Sequence, residues 1–180
     1  MSAIILFNKP YQVLCQFTDS EGRAHLGDHI QQPGFYAAGR LDYDSEGLLL
    51  LTDDGPTQHR ISSGQVHKTY VVQVEGLAQA KHLQRLRQGV RVKDYVAQAL
   101  DIEVLGKKPA WLWPRQPPIR QRKNQPTSWL QLTINQGKNR QVRRMCAAAG
   151  LPVLRLLRTQ IGDFKLGDLA PGELTWHELT

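Results

Sequence analysis

The chain has 180 residues, 41% apolar and 22% charged, a globular balance that argues against disorder. Its longest apolar run, Leu48-Leu49-Leu50-Leu51, is far short of a membrane span, and the first residues carry neither a basic n-region nor a cleavage-site pattern, so neither anchoring nor export is expected. The formal charge of +7 is unevenly spread: between Val104 and Gly162 there are 12 of the 23 basic residues and none of the 16 acids, which points to a polyanion, most simply nucleic acid, against the plainer reading of a solvated basic face.

Taken in chain order, short apolar runs between turn residues predict strands over 4–7, 13–17, 36–38, 48–52, 69–75, 97–105, 129–134 and 153–157. A short helix is expected over 56–62, after the turn Asp53-Asp54-Gly55, and another over 77–88, ending before Gly89. The strongest helical pattern covers 140–149. There Val142, Met145, Cys146 and Ala149 fall at i, i+3, i+4 and i+7, Asn139 is placed to cap the start, and Gly150 and Pro152 end it. Between 107 and 127, five prolines block regular structure. This long loop mixes Trp111 and Trp113 with Arg120, Arg122 and Lys123, a composition that suits RNA or else an insertion whose tryptophans pack back on the core. Strands dominate and helices interrupt them irregularly. The expected fold is therefore α+β with a mixed, largely antiparallel central sheet, in a single domain over 1–180 or two lobes around one cleft. Cys15 and Cys146 lie far apart with no Cys or His cluster beside them. A disulfide framework or a structural zinc is disfavoured, and a cytoplasmic location is expected.

Two polar clusters stand out. In the first, Gly39-Arg40-Leu41-Asp42-Tyr43-Asp44-Ser45-Glu46-Gly47, two glycines bracket three carboxylates and an arginine. A strand leads in and the leucine run leads out, so this is either a rigid seat for a catalytic carboxylate or a charged surface turn. It partly imitates a calcium-binding loop, with Asp53 at the twelfth position. That reading fails because Leu50 offers no oxygen at the ninth position, no helix precedes the loop, and the leucines need burial. In the second cluster, Gly137-Lys138-Asn139-Arg140-Gln141-Val142-Arg143-Arg144, three arginines share the helix side opposite the apolar stripe. They repel one another unless a phosphate or a carboxylate is near. A third segment, His67-Lys68-Thr69-Tyr70, sets a phenol near a strand start and by itself means little.

These segments resemble bacterial ribosomal pseudouridine synthases. Gly39-Arg40-Leu41-Asp42-x-Asp44-Ser45-Glu46-Gly47-Leu48-Leu49-Leu50-Leu51-Thr52-x-Asp54-Gly55 is similar to the family's first motif, and Lys68-Thr69-Tyr70 to its second. The run from Gly137 to Met145, with Leu157-Arg158 and Ile161-Gly162, is similar to its third. The branch is the one that includes the small-subunit synthase A and the large-subunit synthases B, E and F, and within it the pattern is most similar to the large-subunit type E. Relatives often carry an RNA-binding domain of the S4 type before the catalytic domain; none is expected in this chain. Many have Gly where Gln12 stands, and an Arg near the end where this chain reads Gly172-Glu173-Leu174-Thr175.

The resemblance implies isomerisation of a uridine in ribosomal RNA, 23S being expected, to pseudouridine. The N1–C1′ bond breaks, the uracil turns and C5 bonds to C1′, with no cofactor and no metal. Asp42 matches the catalytic aspartate, which either adds to C1′ or takes a proton from C2′. Tyr70 matches the tyrosine that stacks on the flipped base, and Arg143 the arginine that pairs with the aspartate. Leu157 is expected in the uracil pocket. Arg40, Lys68, Lys138, Arg140, Arg144, Arg120, Arg122 and Lys123 are expected to bind RNA. Of the arginines at the helix start, Arg143 follows Val142 at the margin of the buried face and is expected to reach Asp42, leaving Arg140 and Arg144 for phosphates. A monomer is expected. The second reading is a non-catalytic RNA-binding or ribosome-assembly factor on the same fold.

Overall fold

The computed structural model describes residues 2–63, 65–120 and 124–179, so Arg122 and Lys123 lie outside the described residues. In chain order it contains β1 (Ala3–Lys9), β2 (Tyr36–Ala38), β3 (Glu46–Thr52), α1 (Gly55–Ser62), β4 (Lys68–Glu75), α2 (Ala80–Gln88), β5 (Val90–Val92), β6 (Tyr95–Ala97), β7 (Asp101–Leu105), β8 (Thr127–Ile134), α3 (Gln141–Ala148), β9 (Val153–Ile161), β10 (Phe164–Lys165) and β11 (Leu174–Glu178). The large sheet runs β11-β1-β3-β9-β4-β8-β7, with β2 on β3 and β10 on β9, while β5 and β6 form a separate hairpin. The sheet is mixed and largely antiparallel, as expected: the pairing of β3 with β9, at Glu46↔Leu157 and Gly47↔Arg158, is parallel.

The leucine run explains the left half of the sheet. Successive side chains of a strand point to opposite faces. Leu49 and Leu51 enter one apolar cluster with Ile5, Phe7, Leu26 and Phe35. Leu48 and Leu50 enter another with Ile4, Leu6, Ala38 and Ile61. The right half packs one face of β4, β8 and β7 against α2 and α3, where Val72, Leu130 and Ile102 meet Leu86, Val142, Met145 and Cys146. The apolar stripe of α3 is thus buried as its spacing predicts, and burial pushes the Cys146 thiol pKa up to about 12, which leaves it inert.

The two halves meet at a short seam. Gly47 has φ +105°, and a Cβ there would lie 2.3 Å from the Arg158 carbonyl oxygen, so only glycine lets β3 approach β9 this closely. The loop from 39 to 45 and the start of α3 flank this seam, and a cavity opens there.

Three sequence expectations are overturned. Residues 13–17 form no strand. Val13 and Cys15 alternate inward, but Leu14 makes only an isolated bridge to His25. The strand expected over 97–105 breaks after Ala97, because the Ala99 amide bonds the Leu86 carbonyl and the chain crosses from the small hairpin to the large sheet. Asn139 does not cap α3. The residue in that position is Arg140, with a left-handed backbone (φ 53°, ψ 30°) and no side-chain cap. Asp54, by contrast, caps α1 by accepting from the Thr57 amide.

Lys9 ends β1 inside the protein. Its ammonium donates to the carbonyls of Pro10 and Val13, both at 2.8 Å. Burial is the largest cause that lowers its pKa, from 10.5 to about 8, against the opposing pull of Glu46, Asp44 and Asp42. Between pH 8 and 10.5 the unfolded chain holds this proton more tightly than the folded one. The Lys9 contribution therefore makes stability rise with pH across that window. Urea midpoints measured from pH 7.5 to 10.5 should show a rising component that Lys9→Met removes. Identical slopes in both proteins would mean that Lys9 is not desolvated.

Candidate active site

The loop that carries Asp42 is pinned along its length. Arg158, an arginine set in an apolar strand and almost fully buried, donates to three main-chain carbonyls: Leu48 at 2.9 Å, Gly39 at 3.1 Å and Arg40 at 3.3 Å. The Gln12 amide bonds the Tyr43 carbonyl at 2.8 Å, and the Ser45 amide closes a turn on the Asp42 carbonyl. Arg143 donates to the Asp44 carbonyl at 2.8 Å and to Ser45 Oγ at 3.3 Å. At the loop's end, Glu46 accepts from Arg155 Nε (2.8 Å) and Nη2 (3.0 Å) and from Trp113 Nε1 (2.9 Å). Such a scaffold fixes where a carboxylate sits before any ligand arrives.

Asp42 faces a cavity of about 640 Å³, within the size range of small-ligand sites. Tyr70 and Lys68, two residues apart on β4 and so on one face, reach the same cavity, as do Arg40, Lys138, Arg140 and Arg143. Seven of the residues singled out in the sequence thus converge on one space. Lys68, expected among the RNA contacts, is buried, with Nζ 3.4 Å from the Val66 carbonyl, so it meets only what enters the cavity. Burial, aided by the charge of Arg158, lowers its pKa. Lys138 stands at the rim with its ammonium 5.8 Å from the centre of the Tyr95 ring. Arg144 bonds Asn139 Oδ1 at 3.4 Å and does not line the cavity; Arg120 is exposed and does not line it either.

Two expectations need correction. The arginine bonded to Asp42 is Arg140, not Arg143. Arg140 Nη1 lies 3.2 Å from Asp42 Oδ2, and the same guanidinium forks onto Asp44 at 3.0 and 2.8 Å. Arg143 reaches the Asp44 carboxylate at 3.7 Å and makes no hydrogen bond to Asp42. The reason is the left-handed backbone at 140, which takes that side chain off the helix surface on which the expectation was drawn. The Arg140 bond holds the Asp44 carboxyl below its usual pKa range, although burial opposes it. Leu157, expected in the uracil pocket, is fully buried on the other face of the sheet with Val71, Leu112 and Trp129. Leu156 lines the cavity instead, on the same side of β9 as Arg158.

Comparison with known proteins decides the family. A model of the RNA pseudouridylate synthases matches residues 3–148. The chain belongs to this family. A protein of Vibrio parahaemolyticus named ribosomal large subunit pseudouridine synthase E is 49% identical over 178 residues, which is 98% of this chain and 73% of that one. One of the same name from Xanthomonas axonopodis is 52% identical over 172 residues, 93% of this chain and 90% of the other. Among solved structures, one described as a pseudouridylate synthase superposes with a TM-score of 0.80 at 28% identity, over 99% of this chain and 71% of that one. A human RNA pseudouridylate synthase domain protein, 18% identical with a TM-score of 0.59 over 88% of this chain and 74% of its own, shares the fold.

The parts of this pseudouridine synthase site that sequence reasoning missed are supporting ones. Arg155 and Arg158 carried a readable signal, since charged residues in an otherwise apolar strand must find buried partners. Trp113 carried none that separates it from Trp111, yet Trp113 joins Glu46 while Trp111 stays more than half exposed.

Proposed function

We propose that this protein isomerises a uridine of large-subunit ribosomal RNA to pseudouridine, with Asp42 as the reacting carboxylate. The observation that carries the reading is the accessible Asp42 carboxylate, fixed on a pinned loop and facing a cavity it shares with Tyr70. The two relatives at about half identity, both named for the large ribosomal subunit, support the choice of RNA. Glycosidic cleavage, rotation and re-bonding through C5 exchange nothing with a second molecule, so the chemistry requires no cofactor. The target base must be unpaired or flipped to present C1′. Tyr70 then offers a ring face to the uracil, Leu156 an apolar wall, and Arg143 a cation close to the carboxylate. We read the whole chain as one catalytic domain, acting as a cytoplasmic monomer without metal. Mapping pseudouridine in ribosomal RNA from cells with and without the protein tests this: one large-subunit uridine should lose its modification when the protein is removed. An unchanged map would favour a non-catalytic RNA-binding role.

Arg40, Lys138, Arg140, Arg144 and Arg120, with Arg122 and Lys123 of the proline-rich loop, are the proposed phosphate contacts. Each phosphate neutralised on a single strand should contribute about 0.7 to the slope of log affinity against log salt. Replacing Arg120, Arg122 and Lys123 together by Gln should therefore flatten that slope by up to about 2 while sparing the rate at saturating RNA. An unchanged slope would place the RNA path elsewhere.

A further inference from the structure

Arg140 combines three features that no structural need explains together. Its backbone is left-handed at φ 53°, a conformation that side-chain-bearing residues adopt rarely and under strain. Its side chain lines the cavity and reaches the loop that holds Asp42. It also occupies the carboxylate on which the proposed chemistry depends. Meanwhile Arg143, deeper and only 15% exposed, has Nη2 committed to the Asp44 carbonyl and Ser45, while its buried Nε has no hydrogen-bond partner among the described residues. A buried guanidinium donor without a partner is costly and rare. Arg143 lines the same cavity as the Asp42 carboxylate, which Arg140 holds.

The distances say which contact yields. Arg140 grips Asp44 with two bonds, at 3.0 and 2.8 Å, and Asp42 with one, at 3.2 Å. All three side chains are more than a third exposed, so the single Asp42 bond is weak and open to competition. A backbone phosphate is a stronger competitor, because Arg binds it through charge-assisted and often bidentate bonds.

We propose that Arg140 is a phosphate receptor that releases Asp42 when RNA binds. In the free protein Asp44 anchors Arg140 and Asp42 shares it. When RNA enters, a phosphate beside the target nucleotide takes Arg140 Nη1, and Asp42 turns toward Arg143, whose buried Nε has no partner among the described residues. The reacting carboxylate becomes free to approach the sugar only when a strand is in place. Arg140 is thus a positioning residue that acts through Asp42, and Asp44 keeps it aimed. This rests on the reading of Asp42 as the reacting group.

The test is single-turnover kinetics on a synthetic RNA stem-loop around the mapped uridine, made also with single neutral methylphosphonate linkages flanking the target. Wild type against Asp42→Asn first establishes the underlying reading: an Asp42→Asn protein that stays active would overturn that reading itself. With that control in hand, Arg140→Ala should weaken RNA binding about tenfold, with the saturated rate falling no more than about threefold. Arg143→Ala should cut the saturated rate a hundredfold or more. One methylphosphonate linkage should slow wild type at saturation yet leave Arg140→Ala unaffected, since that variant has nothing to release. Arg140→Gly accepts the left-handed backbone freely and should behave as Arg140→Ala, which separates the side chain from the strain. The proposal is overturned if Arg140→Ala loses the saturated rate as deeply as Arg143→Ala, because Arg140 would then hold Asp42 through the chemistry. It is equally overturned if every neutral linkage affects wild type and Arg140→Ala alike.

Discussion

Replacing Asp42 by Asn should lower pseudouridine formation about a thousandfold or more, a barrier increase of about 4 kcal/mol, while the protein stays folded and still binds RNA. The amide keeps the shape of the side chain and loses the charge and the nucleophilic oxygen. Neither route to the product survives that loss, since both adding to C1′ and taking the C2′ proton require an ionised carboxylate. The fold should barely notice. Asp42 contributes one bond, to Arg140, between side chains that are each 38% exposed, a contact of the kind that adds at most about 1 kcal/mol. Asp44→Asn should act more weakly on turnover, because Asp44 anchors an arginine and does not react. The measurement is single-turnover product formation at saturating RNA, with thermal unfolding and RNA affinity on the same preparations. An Asp42→Asn protein within tenfold of wild type would assign the reacting group elsewhere.

Sequence patterning reached the strands of this site more securely than its side-chain pairings, for reasons visible in particular residues. The leucine run and the alternation in 69–75 and 129–134 announce strands because burial is dictated by the chain's own period. β11 escaped because its residues are half-buried or exposed, and its partner β1 lies at the far end of the chain. Residues 13–17 imitated a strand because a loop lying over an apolar cluster can also bury every second side chain. That Leu156 and not the expected Leu157 lines the cavity turns on which face of β9 meets it. That parity is set by the register Tyr70↔Arg158 and Val71↔Leu157, which no local pattern reveals. The exchange of Arg140 for Arg143 as Asp42's partner has a similar origin. A helical wheel assumes helical backbone at every position, and Arg140 sits one residue outside α3 with a left-handed φ.

The same loop predicts the largest effect on stability. Glu46→Ala should destabilise the protein by about 3–5 kcal/mol. The Glu46 and Arg155 side chains are 2% and 5% exposed, joined by two charge-assisted bonds, and Trp113 adds a third donor to the same carboxylate. Removing the carboxylate leaves the Arg155 guanidinium buried with only the Trp113 carbonyl, at 2.9 Å, to accept from it. It also leaves the indole N–H without an acceptor. The loss should extend beyond the pair. Trp113 attaches the 106–126 loop to the end of the Asp42 loop, and Leu112 and Trp113 cover Val71, Trp129 and Leu157. Proteolysis within the 106–126 loop should therefore accelerate in Glu46→Ala more than elsewhere in the chain. Glu46→Gln keeps an acceptor for Trp113 and should cost less. Glu46→Leu combined with Arg155→Met removes both charges and should recover much of the loss, because the desolvation of an unpaired cation disappears with the cation. Urea unfolding decides it. At about 2 kcal/mol per molar, typical of chains of this size, the Glu46→Ala midpoint should fall by about 1.5–2.5 M. A fall under about 0.5 M, or a double variant no better than Glu46→Ala, would show that the buried pair does not hold the two loops together.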